Sequence, residues 1–180
     1  FEDVPSVVAI ANDRRIAEMT ANLPHPYAAK DAENWIANAW TSQDHPFLIT
    51  LKTNGALVGA TGFVMPDFGD PEIGYWLGTA HWGRGYATEA ARAVVDHLFT
   101  DRGADAVAAR ARVVNPASRR VIEKCGFQWI GAGLTRSRLL ASSVPVDKFR
   151  LDRTLWASLK AWRDPILRRS APKVVIGSLA

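Results

Sequence analysis

Residues 77–89, Leu-Gly-Thr-Ala-His-Trp-Gly-Arg-Gly-Tyr-Ala-Thr-Glu, constrain this chain more than any other stretch. Glu72-Ile-Gly-Tyr-Trp-Leu77 leads into them and reads as a strand. Behind them, over residues 85–99, Ala87, Ala91, Val94, Val95 and Leu98 fall on one stripe at helical spacing. A strand therefore enters a long helix through a loop carrying Gly78, Gly83 and Gly85. Glycines let several main-chain N–H groups turn toward one point. The helix start adds unpaired donors and the positive end of the macrodipole. Such a turn suits a phosphate or pyrophosphate, with Arg84 as a nearby cation. The same spacing equally suits a tight strand-to-helix turn with no ligand, so the loop alone leaves both readings open. Two nucleotide motifs fall away. A Walker A loop needs Gly-Lys-Ser/Thr, whereas Gly85 is followed by Tyr86 and Ala87. A dinucleotide fingerprint needs a third glycine in an early βαβ unit, and this turn comes mid-chain.

The surrounding pattern predicts one mixed α/β or α+β domain built around a single sheet. The first stretch, to about residue 40, reads as helical and is broken at Pro24 and Pro26. A helix resumes over residues 29–39 with Trp35 and Ile36 inward. Residues 47–52 and 56–64 read as strands joined at Thr53-Asn54-Gly55, a two-residue Asn-Gly turn in which both residues tolerate positive φ. Residues 106–114 form a further strand. Asn115 then reads as an N-cap with Pro116 at the first helical position, and Gly126 as a left-handed helix end. The last strands fall at residues 127–131 and 148–151. The tail from about residue 164 is first basic (Arg168, Arg169, Lys173), then apolar (Val174, Val175, Ile176). A docked extension, an oligomer contact and a disordered end are all open for it.

Composition excludes several classes. A chain of 180 residues with 48% hydrophobic and 22% charged residues has a full core and is not disordered. The net charge of +4 suits an anionic ligand without demanding nucleic acid. The single cysteine, Cys125, excludes an internal disulfide and favours a reducing cytosol; it reads as a core residue. No apolar run approaches ~20 residues, and the first residues carry no signal-peptide pattern. No His, Cys, Asp and Glu set has metal-ligand spacing, so no metal is predicted.

Two motifs together carry a family resemblance. Trp82-Gly-Arg-Gly-Tyr-Ala87 is similar to the Q/R-x-x-G-x-G/A acetyl-CoA loop of the GNAT acetyltransferase superfamily. Thr88-Glu89-Ala90 continues it as in the ribosomal-protein N-terminal (RimJ/RimL-type) branch. About 30 residues on, Asn115-Pro-Ala-Ser-Arg-Arg-Val-Ile-Glu-Lys-Cys-Gly-Phe127 resembles that branch's N-x-x-S-x-x-hydrophobic-hydrophobic-E-K-x-G-F segment. The likeness spans roughly residues 4–156. Trp82 stands where the pattern has Gln or Arg. The family's first strand would precede Phe1, so the chain either lacks it or replaces it.

The resemblance implies a GNAT acyl-CoA N-acyltransferase fold: a central mixed, mostly antiparallel sheet splayed into a V and flanked by helices. It implies a GNAT domain over residues 1–156 with residues 157–180 as an extension of open role. Acetyl-CoA would lie in the V as acetyl donor, without a metal. The backbone of Trp76, Leu77 and Gly78 would pair with the pantetheine, and Trp82, Gly83, Arg84, Gly85, Tyr86, Ala87 and Thr88 would surround the pyrophosphate. Asn115 either faces the pantetheine arm or only caps its helix. The thiol acid of many members, a Tyr, is replaced here by Ile122, so Ser118 is the implied donor to the leaving thiolate, its alternative being local helix capping. Glu72 is the first candidate base for the amine's proton, its alternative a solvated strand-end carboxylate. His81 lies beside the loop and reads as exposed, and His97 as facing solvent. Tyr27, Trp35, Trp40 and Phe68 fall where the acceptor side is built, and Asp67, Asp70 and Glu72 would make it acidic. The implied activity is direct acetyl transfer in a ternary complex to a primary amine, either a protein N-terminus or a small molecule. A catalytically silent acyl-CoA-binding module on the same fold is the alternative. A cytoplasmic protein, in some cases a homodimer, with no nucleic-acid or membrane partner completes the expectation.

Overall fold

Near-continuous apolar strands cannot be covered from one side, and here helices cover both faces of the sheet. The computed structural model describes residues 2–38, 44–167 and 172–178. Three helices come first, α1 (Val4–Ala11), α2 (Arg14–Met19) and α3 (Ala29–Asn38), then the antiparallel pair β1 (Asp44–Leu51) and β2 (Leu57–Val64). β3 (Glu72–Leu77) passes through a 3₁₀ turn at Thr79–His81 into α4 (Tyr86–Thr100). β4 (Ala106–Arg112), α5 (Pro116–Lys124), β5 (Gln128–Ser137), β6 (Ser142–Asp152), α6 (Arg153–Leu167) and β7 (Val174–Ser178) complete the order. The strands make one seven-stranded sheet, β5-β6-β4-β3-β2-β1-β7. It is mixed and mostly antiparallel, β3 and β4 being the parallel neighbours.

Strand alternation sorts the core. Phe63, Ile73, Val107, Ala109, Phe149 and Leu151 lie beneath α4 and α5. Leu48 and Trp76 point the other way, toward α1 and α3. α4 buries Ala91, Val94, Val95 and Leu98 of the stripe its spacing predicts, with Ala90 and Phe99 beside them, while Ala87 is half-buried. Each of its larger apolar side chains contributes about 1.5–3 kcal/mol on burial. Trp156 of α6 stacks on Phe99 with ring centroids 4.8 Å apart. Its indole N–H donates to Asp96 Oδ1 at 2.7 Å, which fixes α6 against α4.

One expectation changes, and one reading left open is decided. The β1–β2 turn is longer than two residues: among residues 52–55 only Gly55 is left-handed, at φ 71°. Asn54 instead uses its side-chain oxygen to accept from the Ala56 N–H at 3.1 Å, an Asx contact that competes with a left-handed backbone. The tail is part of the sheet: β7 pairs antiparallel with β1, from Phe47↔Ser178 to Leu51↔Val174. Residues 157–167 thus supply most of α6, and Val174–Ser178 an edge strand. Arg168, Arg169 and Trp40 lie outside the described residues.

Candidate functional site

β3 and β4 diverge. They pair only at Glu72↔Ala108 and Ile73↔Ala109, while β4 continues to pair with β6 as far as Arg112↔Val146. The cleft that opens beyond Ile73 is the expected V. The Gly78 N–H donates to Val58 O at 2.9 Å. Because main-chain groups alternate in an antiparallel pair, Trp76 and Gly74 also face β2, whereas Tyr75 and Leu77 face the cleft. This corrects the expectation for Trp76 and Gly78. Trp76 packs its ring toward α1 and α3. Gly78 also accepts from His81 N, and a Cβ there would come within 2.7 Å of Ile10, so this glycine serves packing. Of the three, only Leu77 presents its N–H to the cleft. Its carbonyl is taken by the Trp82 indole N–H, at 2.9 Å. Trp82 therefore braces the loop over the strand end rather than reaching toward a phosphate.

The loop behaves as its glycines predict. Gly83 and Gly85 are left-handed, at φ 75° and 86°. A Cβ on either would meet nothing within 4 Å, so both face open space. Gly85 is the N-cap of α4, and no side chain caps that end. The first-turn N–H groups of Tyr86, Ala87 and Thr88 have no partner within the helix. Arg84 is exposed beside them. Tyr86 and Ala87 rest on a cluster of Ile49, Val58, Leu77, Ala90 and Val174. Glu89, one turn on, accepts the Lys173 and Val174 N–H groups at 2.7 and 2.9 Å, which pins β7 beneath the loop. The residues present thus fit a diphosphate: an uncapped helix end, an approachable backbone and a cation.

Across the cleft, Asn115 Oδ1 accepts from Ser118 N at 3.0 Å and caps α5. Capping occupies its oxygen and leaves its amide N–H groups as donors, so the two roles expected to compete do not exclude each other. Ile122 is 1% exposed in the core, with no access to the cleft. Ser118 Oγ lies 2.9 Å from Tyr75 Oη, and Tyr75 Oη also donates to the Ser118 carbonyl at 3.1 Å. Tyr75 thus bridges β3 to α5. Burial pushes its phenol well above the ordinary tyrosine range, against the opposing pull of the Ser118 hydrogen bond. Tyr75 went unnoticed in the sequence, although it sits between the inward Ile73 and Leu77, where a buried hydroxyl demands a partner.

At the closed end of the V, where β3 and β4 still pair, charges come in pairs. Glu72 takes two contacts from Arg110, both at 2.8 Å. Asp70 pairs with Arg150 at 2.7 Å. The expected acidic rim is therefore largely neutralised. Tyr27 is buried, and its phenol is pushed up to about 12, first by burial and then by Asp31. Phe68 is 94% exposed and packs into nothing here. His81 is half-buried rather than exposed, and its Nδ1 is shielded without a partner. His97 is partly exposed and bonds Asp101 at 2.7 Å. Asp13, at the start of α2, accepts from Thr79 Oγ1 at 3.0 Å and from Arg15 at 2.6 Å. The Arg15 hydrogen bonds hold that carboxyl well below the usual range. The β5–β6 hairpin reaches the helical side, where Arg138 N donates to Ala21 O and its guanidinium lies 3.4 Å from Asp31. Segments far apart in sequence thus meet in both contacts. Among the described residues, no group of three or more His, Cys, Asp or Glu could hold a metal.

The family described as "Acetyltransferase (GNAT) domain" matches residues 1–128. "Uncharacterized N-acetyltransferase p20" of Bacillus licheniformis is 35% identical over 88 residues, 48% of this chain and 49% of that protein. The chain spans about half the length of the curated relatives it matches. A spermidine N-acetyltransferase from Vibrio cholerae, solved with CoA and spermine, superposes with a TM-score of 0.72 at 17% identity over 87% of this chain and 93% of its own. RimJ of Mycobacterium smegmatis, solved with CoA-disulfide, gives 0.71 at 22% identity over 85% and 78%. At such identities the likeness is one of fold.

Proposed function

The chain belongs to the acetyltransferase (GNAT) domain family, and on that premise we propose that it moves an acetyl group from acetyl-CoA to a primary amine by direct attack in a ternary complex. The observation that carries this is the cleft between β3 and β4, which ends at two left-handed glycines and an uncapped helix start. Gly83, Arg84, Gly85, Tyr86, Ala87 and Thr88 hold the pyrophosphate. The Leu77 N–H, which faces the cleft, donates to the thioester carbonyl oxygen as charge develops there. The Asn115 amide donates to the pantetheine. Ser118 donates to the departing sulfur, and Glu72 takes the amine's proton after its pair with Arg110 opens.

The acceptor is a protein N-terminus or a small amine. The Thr88-Glu89-Ala90 and 115–127 motifs favour the RimJ/RimL-type branch. The paired carboxylates remove the main argument for a polycation. Calorimetry with CoA and acetyl-CoA tests the donor site, and free-thiol release with a panel of N-terminal peptides, polyamines and aminoglycosides tests turnover. A second reading, a silent acyl-CoA-binding module, draws support from one feature: Glu72 and Ser118 both already hold internal partners. Binding without thiol release across the panel would favour it.

A further inference from the structure

Ser118 and Tyr75 form a closed pair. Tyr75 has one proton and two acceptors in reach, Ser118 O at 3.1 Å and Ser118 Oγ at 2.9 Å. With the phenol bonded to the carbonyl, the serine hydrogen points back at Tyr75 Oη. With the phenol bonded to Oγ, the serine hydrogen is released toward the cleft. The two patterns differ only by rotation of two hydroxyls. We propose that Tyr75 is a positioning residue which, by donating to Ser118 Oγ, aims the serine hydrogen at the sulfur of the donor.

This rests on reading the cleft as an acetyl-CoA site. In the transfer, the amine nitrogen bonds the acetyl carbon and the carbon–sulfur bond breaks, its electron pair leaving on sulfur. The amine's proton passes to Glu72 or solvent. Ser118 keeps its proton and donates a hydrogen bond to the thiolate, which solvent then protonates. Tyr75 stays neutral throughout, as burial of its phenol favours. Donors aligned in advance avoid reorganisation at the moment of transfer. A purely structural Tyr75 would join β3 to α5 and leave the sulfur unaffected.

The test reads the bound thiol directly, so it needs no known acceptor. Coenzyme A is bound to the full chain, and thiolate absorbance near 235 nm is followed against pH. Ser118→Ala is expected to raise the thiol's apparent pKa by about one unit, tenfold in its ionisation constant. Tyr75→Phe is expected to raise it by about half a unit, threefold in the ionisation constant, with CoA affinity unchanged. The double variant should match Ser118→Ala, because Tyr75 acts only through Ser118. Should Tyr75→Phe fold poorly, 3-fluorotyrosine, a stronger donor of the same shape, should lower the thiol pKa in wild type and leave it unmoved in Ser118→Ala. A wild-type titration for Tyr75→Phe, or additive shifts in the double variant, overturns the proposal. An unmoved Ser118→Ala titration refutes the role of Ser118 itself and the proposal with it. Absence of any CoA binding refutes the reading of the cleft.

Discussion

Glu89→Ala should release the C-terminal strand from the loop. One carboxylate oxygen accepts both the Lys173 and Val174 N–H groups. The Val174 amide is partly buried, and its side chain belongs to the cluster with Ile49, Val58, Leu77 and Ala90. A hydrogen bond to a charged acceptor at such a place contributes about 1.5–3 kcal/mol. The Lys173 amide is exposed and rehydrates, so its share is ~0.5 kcal/mol. The sum is about 2–3.5 kcal/mol, or roughly 5–10 °C in melting temperature for a domain of this size. Thermal denaturation measures the loss, and limited proteolysis between α6 and β7 reports whether the strand has come free. Glu89→Gln keeps a neutral acceptor and should lose about half as much. A melting point within about 2 °C of wild type, with the tail still protected, would show that the β1–β7 ladder holds the strand without Glu89.

Gly85→Ala places a Cβ in open space but forces a left-handed alanine, costing about 1–2 kcal/mol; CoA affinity by calorimetry should fall about tenfold, and an unchanged value would remove the loop from the binding site. Glu72→Gln should lower turnover about a hundredfold if the carboxylate is the base, and full activity with any accepted amine would end that role. Burial pushes the Cys125 thiol up to about 11. Its folded pKa exceeds its unfolded one, so its contribution is complete below about pH 9 and is lost as pH rises toward 11. The loss is roughly 2–3 kcal/mol. Urea titrations of wild type and Cys125→Ala should diverge in slope only in that window, and parallel slopes would contradict it.

Local chemistry made much of this legible. Alternating and 3.6-residue patterns placed the hairpin strands, α4 and α5, because each must bury a defined face. The left-handed glycines at 83 and 85 and the Asn115 cap were readable because their conformations rest on neighbours a few residues away. The Asn54 turn was misread even so, because an Asn side chain can bond locally as readily as its backbone can turn. Which backbone groups face the cleft was not readable at all: the roles of Trp76 and Gly78 depended on the β2 register, which one residue of slip would invert.

The sequence by itself determined the kind of domain and where its glycine turn into α4 lies, since glycine conformation and helix polarity are properties of the chain nearby. Only the tertiary structure decided what each charged or hydroxyl group does. Tyr75 found Ser118, Glu72 found Arg110, and Glu89 found a strand more than 80 residues away. Hydrogen bonds and ion pairs act over a few ångströms of space and carry no signature in sequence distance, so the fold had to bring the partners together before their roles could be known.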